Sequence, residues 1–210
     1  MKKRIVVLVS GGGTNLQALI DAQGRGELGC GEIVAVISSK AGAYALERAA
    51  KAGILGFVLP RKEFDSNRAM TVALVEKLKE LGADLVVLAG CMVIFTEELV
   101  EAYPNAVMNV HPALIPAFCG EGYYGLHVHE EALRYGVKVS GATVHFVSEE
   151  CDGGPIIAQK AVAVREDDTP ETLQKRIMEE AEWKLLPEAV KLFCEDRLAV
   201  EGRIVKIKER

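Results

Sequence analysis

Short apolar runs rich in β-branched residues alternate, along the first half of the chain, with segments whose apolar residues recur at helical spacing. Residues 4–10 form the first run, apolar from Ile5 to Val9, the pattern of a central parallel strand covered on both faces. Leu16, Leu19 and Ile20 then predict a helix, with a glycine loop between. Residues 32–37 predict a second strand, 41–51 an alanine-rich helix stopped at Gly53, and 56–59 a short third strand. Asp65, Ser66 and Asn67 predict the cap of a long amphipathic helix that reaches Leu81 and stops at Gly82. Residues 83–89 read as the next buried strand, followed by an apolar loop over 90–95. Thr96 predicts a capped helix to Ala102, and Pro104 leads into a strand over 105–110.

The second half changes character. Pro116, Gly120, Gly122 and Gly125, with two tyrosines, have the composition of a mobile loop or lid. Leu133 suggests that residues 126–135 begin a helix. Residues 139–147 alternate and 155–164 are apolar, so the sheet is expected to end in an antiparallel strand pair. Thr169-Pro170 predicts the start of a long helix to Phe193, and 197–207 a small hairpin around Glu201-Gly202. This is an α/β pattern: a Rossmann-like three-layer sandwich, a mostly parallel central sheet with helices on both faces, closing on a strand pair and a long C-terminal helix. A single domain over residues 1–210 is expected, with halves 1–103 and 104–210.

Composition narrows the classes. The 210 residues are 50% hydrophobic and 26% charged, enough for one sizeable core. No apolar run is long enough to span a bilayer and no cleavage site precedes the first strand, so a cytoplasmic protein with no membrane partner is expected. A net charge of −5 argues against non-specific nucleic-acid binding. Cys30, Cys91, Cys119, Cys151 and Cys194 are odd in number, scattered and without a C-x-x-C pair, which suits reduced packing residues better than a disulfide framework or zinc site.

The chemistry gathers around Asn109-Val110-His111-Pro112. Residues two apart on a strand share a face, so Asn109 and His111 project together while Val110 enters the core and Pro112 stops the ladder. The carboxyl end of a strand is where open α/β sheets place ligands. Ser10-Gly11-Gly12-Gly13-Thr14-Asn15 offers backbone N–H groups and a helix N-terminus to a phosphate. It is neither a dinucleotide fingerprint, because Leu16 stands where a third glycine belongs, nor a P-loop. A single phosphate or a tight structural turn remains. The loop Gly90-Cys91-Met92-Val93-Ile94-Phe95 either plugs the core or lines a pocket for a flat ring. Asp152-Gly153-Gly154 is an acid or a plain turn. His127 and His129 form an H-x-H pair that a helix would point to different sides, so no metal site is expected.

Four blocks together, Ser10 to Asn15, N-V-H-P-A-L-I-P from Asn109, S-G-A-T-V-H-F from Ser140 and D-G-G-P-I-I from Asp152, resemble the folate-dependent formyltransferases over nearly the whole chain. The closest resemblance is to the branch that formylates glycinamide ribonucleotide in purine (IMP) biosynthesis. It implies transfer of a formyl group from 10-formyltetrahydrofolate, a co-substrate, to the amine of that ribonucleotide, with no metal. It implies Asn109, His111 and Asp152 as catalytic residues, His111 giving a proton and Asp152 favouring its charged form. It implies Gly12, Gly13, Thr14 and Asn15 at the substrate phosphate, and Gly90, Pro112 and Glu182 at further substrate contacts. It places Met92, Val93, Ile94 and Phe95, with Asn109, against the folate. It also implies a phosphate-binding Rossmann-like half over 1–103 and a catalytic and folate-binding half over 104–210. A monomer or homodimer is expected. The chain departs from the family in four places: a longer segment over 120–125, Val93 for an arginine, Asn67 for a basic residue whose folate contact passes to Arg68, and Glu179 for a lysine. Two other readings stand beside this one. A formyltetrahydrofolate deformylase shares the three catalytic residues but usually carries an N-terminal regulatory domain, whereas this chain opens on its first strand. A non-catalytic nucleotide-binding module would use the glycine loop alone. Methionyl-tRNA formyltransferase adds a C-terminal barrel for which the residues after 164 leave no room.

Overall fold

A computed structural model describes residues 2–209. The elements follow in the order β1 (Lys3–Val9), α1 (Thr14–Gly24), β2 (Gly31–Ser38), α2 (Tyr44–Lys51), β3 (Leu55–Val58), α3 (Asn67–Glu80), β4 (Leu85–Leu88), α4 (Glu97–Ala102), β5 (Val107–His111), α5 (Leu126–Tyr135), β6 (Val139–Phe146), β7 (Ile156–Ala163), α6 (Pro170–Ile177), a π segment (Met178–Glu182), α7 (Trp183–Cys194), β8 (Leu198–Glu201) and β9 (Ile204–Ile207). All nine strands form one sheet in the order β3-β2-β1-β4-β5-β6-β7-β9-β8. The first five run parallel, and β5/β6 and β6/β7 are antiparallel.

The apolar run in β1 is continuous because both its faces are covered. Ile5, Val7 and Val9 join one core with Leu16 and Leu19 of α1, Ala45 and Ala49 of α2, and Leu173, Ile177 and Leu186 of the C-terminal helices. Val6 and Leu8, one residue out of phase, join the other core with Leu74 and Leu78 of α3 and Leu99 of α4. The period-two alternation of a strand therefore sorts consecutive residues of β1 into opposite layers. The first core takes residues from both halves of the chain, Ile5 to Cys194. Because β2 and β4 flank β1 on opposite sides, the strand order reverses there, which opens a crevice at the carboxyl ends of β1 and β4.

The expected antiparallel strand pair is present as β6 and β7, and the C-terminal hairpin extends the sheet beyond it, adding β9 and β8 through a parallel pairing of Ile156 with Ile204. The expected long helix is present from Pro170 to Cys194 and passes without a gap through the π segment, which lies one turn before Pro187, whose missing N–H cannot serve the preceding turn. Helix α2 begins at Tyr44, not residue 41, because Lys40 and Ala43 close a turn first. Ser66 caps α3 as expected, but the Thr96 hydroxyl bonds Glu98 and caps nothing. Among the cysteines Cys194 is buried, while Cys30 and Cys151 lie exposed in the segments before β2 and after β6, so packing does not explain those two. Among the described residues, no helix is long and apolar enough to cross a membrane.

The Asp152 loop is pinned hard against β6. Phe146 N–H donates to the Pro155 carbonyl at 2.9 Å, and a Cβ on Gly154 would lie 1.8 Å from the Phe146 carbonyl oxygen. Since the obstacle is backbone, Gly154→Ala is expected to lower unfolding free energy by about 2–3 kcal/mol, measured by urea denaturation. A midpoint equal to that of the parent protein would show that the loop has slack.

Candidate active site

Three loops meet at the carboxyl ends of β1, β2 and β4, and Ser10 ties them. Its N–H donates to the Gly90 carbonyl at 3.2 Å, its Oγ accepts from Met92 N–H at 2.9 Å, and it lies 2.7 Å from Ser39 Oγ. The glycine loop is thereby fixed to the apolar loop that follows β4. Gly13, at φ +72, forms the N-terminal boundary of α1, and a Cβ there would lie 2.6 Å from Ala45 Cβ. Thr14 Oγ1 points to Met178 Sδ at 3.7 Å, and Asn15 Nδ2 donates to Glu182 Oε2 at 2.6 Å. Glu182 thus lies beneath the phosphate-loop candidate, buried, and it reaches that position from the π segment. Burial pushes its carboxyl up to about 7, against the opposing hydrogen bond from Asn15.

At the end of β5 the side chains alternate as a strand requires: Val110 enters the first core, and Asn109 and His111 take the other face. The antiparallel register places Asn109 opposite His145 and His111 opposite Thr143. Thr143 holds the turn after His111, its hydroxyl donating to the Ala113 carbonyl at 2.7 Å and accepting from Ile115 N–H at 3.1 Å. Asp152, a non-glycine residue at φ +54, brings its carboxylate to this pair. Oδ2 lies 3.4 Å from His111 Nδ1 and accepts from Gly120 N–H at 3.0 Å, while Oδ1 accepts from Asn109 Nδ2 at 3.3 Å. Burial pushes the Asp152 carboxyl up, but His145, the His111 charge and the Gly120 N–H outweigh it and hold the group below the usual carboxylate range. It is ionised at neutral pH.

The two histidines beside it differ. His145 Nδ1 is 2.8 Å from the Phe146 carbonyl, which can only accept, so the neutral ring carries its proton there and Nε2 accepts from Asn109 Nδ2 at 3.2 Å. A second proton would let Nε2 donate to Asp152 Oδ1, 3.5 Å away. His111 faces acceptors on both nitrogens, Asp152 at Nδ1 and the Phe118 carbonyl at 2.8 Å from Nε2. The expected rise of the His111 pKa is not the net result. Burial lowers it by more than Asp152 and Phe118 raise it, so the imidazole sits below its ordinary range.

The structure brings Asn109, His111 and Asp152 together, and sets Gly12 to Asn15 over Glu182. His145 and Phe118 carried no assigned role in the sequence. The signal for His145 was its strand parity with Thr143, but only the β5/β6 register shows what it faces. In the loop after β4, Cys91, Val93 and Phe95 are partly buried, while Met92 and Ile94 are exposed. Gly90 takes φ +70 at its start. Arg68, expected to replace a basic residue at the folate, is exposed and paired with Glu98, and Asn67 is bonded to Arg61. Glu179 pairs with Lys175 at 3.8 Å. His127 is exposed near Glu130 whereas His129 is fully buried, so the H-x-H pair diverges as its helix dictates.

A transferase site of this form fits the comparisons with known proteins. The formyl transferase family model matches residues 3–190, and the chain belongs to that family. Among its relatives, phosphoribosylglycinamide formyltransferase of Haemophilus influenzae is 40% identical over 202 residues, covering 96% of this chain and 92% of the relative. Glycinamide ribonucleotide transformylase 1 from Symbiobacterium toebii is 46% identical in a crystal structure with a TM-score of 0.93, covering 99% of this chain and 95% of that one. The bovine trifunctional purine biosynthetic protein adenosine-3 is 42% identical over 99% of this chain, which spans 20% of its length.

Glu182 generates a pH prediction. Its folded pKa lies above the unfolded value, so the stability it contributes is full below about pH 4.5 and is lost as pH rises through about 7. Urea midpoints should therefore fall from about pH 5 to about pH 8 in the parent protein and fall less in Glu182→Gln. Identical pH dependence in the two proteins would remove Glu182 as the titrating group.

Proposed function

We propose that this protein transfers the formyl group of 10-formyltetrahydrofolate to the amine of glycinamide ribonucleotide, yielding formylglycinamide ribonucleotide and tetrahydrofolate in purine biosynthesis. The observation that carries the reading is the convergence of Asn109 and His111 on the ionised Asp152, beside a phosphate-loop candidate at the sheet's switch point. The amine attacks the formyl carbon, oxygen takes up negative charge, and the bond from carbon to the folate nitrogen breaks. His111 Nε2 is the nitrogen left for chemistry, since Asp152 holds Nδ1. A ring whose pKa is held down by burial starts neutral, accepts the proton lost by the amine, and returns it to the departing folate nitrogen. While cationic it stabilises the charged oxygen, and Asp152 stabilises the cation. Asn109 Nδ2 is engaged by Asp152 and His145, and Oδ1 accepts no hydrogen bond among the described residues. That oxygen is suited to receive an N–H of the attacking amine, a different use of Asn109 from donation to the oxyanion.

Substrate entry requires one rearrangement. The Phe118 carbonyl occupies His111 Nε2, so the segment after Pro112 must withdraw it before the formyl oxygen approaches. Phe118 is at φ +49, a conformation costly for a non-glycine residue. Met92 to Phe95 would border the folate with their exposed residues, and Gly90 and Pro112 the ribonucleotide. Arg68 serves the folate tail only by exchanging Glu98 for it.

Formyl transfer assayed with and without glycinamide ribonucleotide tests the reading. Formylated ribonucleotide should appear only with the acceptor; formate released equally fast without it would make the protein a deformylase. Turnover of neither would favour a binding module. Asp152→Asn should lower kcat by about a hundredfold or more while ribonucleotide binding changes little. Equal loss of both would reduce Asp152 to a structural turn residue.

A further inference from the structure

The glycine loop is held from behind by α2, and the way it is held decides where its donors point. Ala45 N–H donates to the Gly11 carbonyl at 3.1 Å, and Arg48 Nε donates to the Gly12 carbonyl at 2.8 Å. In a trans peptide the C=O of one residue and the N–H of the next point in opposite directions. Turning the Gly11 and Gly12 carbonyls toward α2 therefore turns the N–H groups of Gly12 and Gly13 away from it. Among the described residues, the N–H groups of Gly12, Gly13, Thr14 and Asn15 donate no hydrogen bond. Four adjacent donors are left for an acceptor from outside the chain.

Arg48 is built into this arrangement. Its Nη1 donates to Gln17 Oε1 at 2.9 Å on the first turn of α1, and its guanidinium lies 5.0 Å over the Tyr44 ring. Its stem lies alongside the loop too, since a Cβ on Gly13 would be 3.5 Å from Arg48 Cδ. Among the described residues no carboxylate lies within ion-pair distance of Arg48, and its Nη2 makes no hydrogen bond. The positive charge beside the loop is therefore uncompensated, whereas Glu179, across at the C-terminal helices, is paired with Lys175.

We infer that Arg48 is the positioning residue of the phosphate site: it locks the Gly12 carbonyl inward, aims the Gly12 and Gly13 N–H groups at the substrate phosphate, and supplies the nearby positive charge. The inference rests on reading the loop as the ribonucleotide phosphate site. Lysine at this position would keep the charge but could not grip the Gly12 carbonyl and Gln17 together through a planar fork.

Arg48→Met is expected to raise KM for glycinamide ribonucleotide about tenfold or more, with a smaller change in kcat and no change in KM for 10-formyltetrahydrofolate. Competitive inhibition by inorganic phosphate should weaken in step, and Arg48→Lys should recover part of both losses. An unchanged KM for the ribonucleotide, or a rise in both KM values together with a lower melting temperature, would overturn the inference. A second measurement needs no variant: inorganic phosphate added to 15N-labelled parent protein should shift the Gly12 and Gly13 amide resonances, and unmoved resonances would overturn it equally. Absence of ribonucleotide formylation by the parent protein would sink the proposed reaction instead, a result distinguishable from the phosphate titration.

Discussion

A carboxylate whose side chain is only 9% exposed stays ionised only if its neighbours replace the water it has lost, and the candidate site is arranged around doing this for Asp152. Its two oxygens draw Asn109 from β5, His145 from β6, Gly120 from the lid and His111 from the strand end. Asn109, Gly120 and His111 are oriented by the bonds they make there, while His145 is oriented by Asn109 and the Phe146 carbonyl. Removing the charge would leave an amide, an imidazole and a backbone N–H without the acceptor that sets their direction. The site's geometry and the charge of one residue are therefore a single property.

The carboxylate depends on the sheet in turn. Asn109 and His145 face each other because β5 and β6 are antiparallel in one register, and a slip of one residue would send both side chains to the opposite face. The loop bearing Asp152 is held to that register by Gly154 against Phe146. On the other side of the crevice Ser10 joins the ends of β1, β2 and β4, so the glycine loop and the apolar loop form one rigid rim. Facing this rim, the segment after Pro112 brings the Phe118 carbonyl against His111.

The two ends of the site use protonation differently. Asp152 is held charged by donors, whereas Glu182, with a single donor and deep burial, is pushed toward its neutral form. A neutral acid under the glycine loop does not oppose an anion above it. The deeper burial of Glu182 with one donor among the described residues, against several partners around Asp152, accounts for the contrast.

The sequence by itself determined the parallel α/β core, because a strand covered on both faces must be apolar throughout, and it determined that Asn109 and His111 share a face, because strand parity is local. The glycine loop before α1, the Ser66 cap and the C-terminal hairpin were legible for the same reason: each is set by residues within a turn or two of itself. Only the tertiary structure decided the rest. His145 acquires a role through strand register, Phe118 and Gly120 through the fold of a loop without periodicity, and Arg48 through the docking of α2 behind the glycine loop. The net pKa of His111 was beyond reach for a related reason. Asp152 alone would raise it, and the burial that prevails belongs to the whole assembly, not to any pair of residues in the chain.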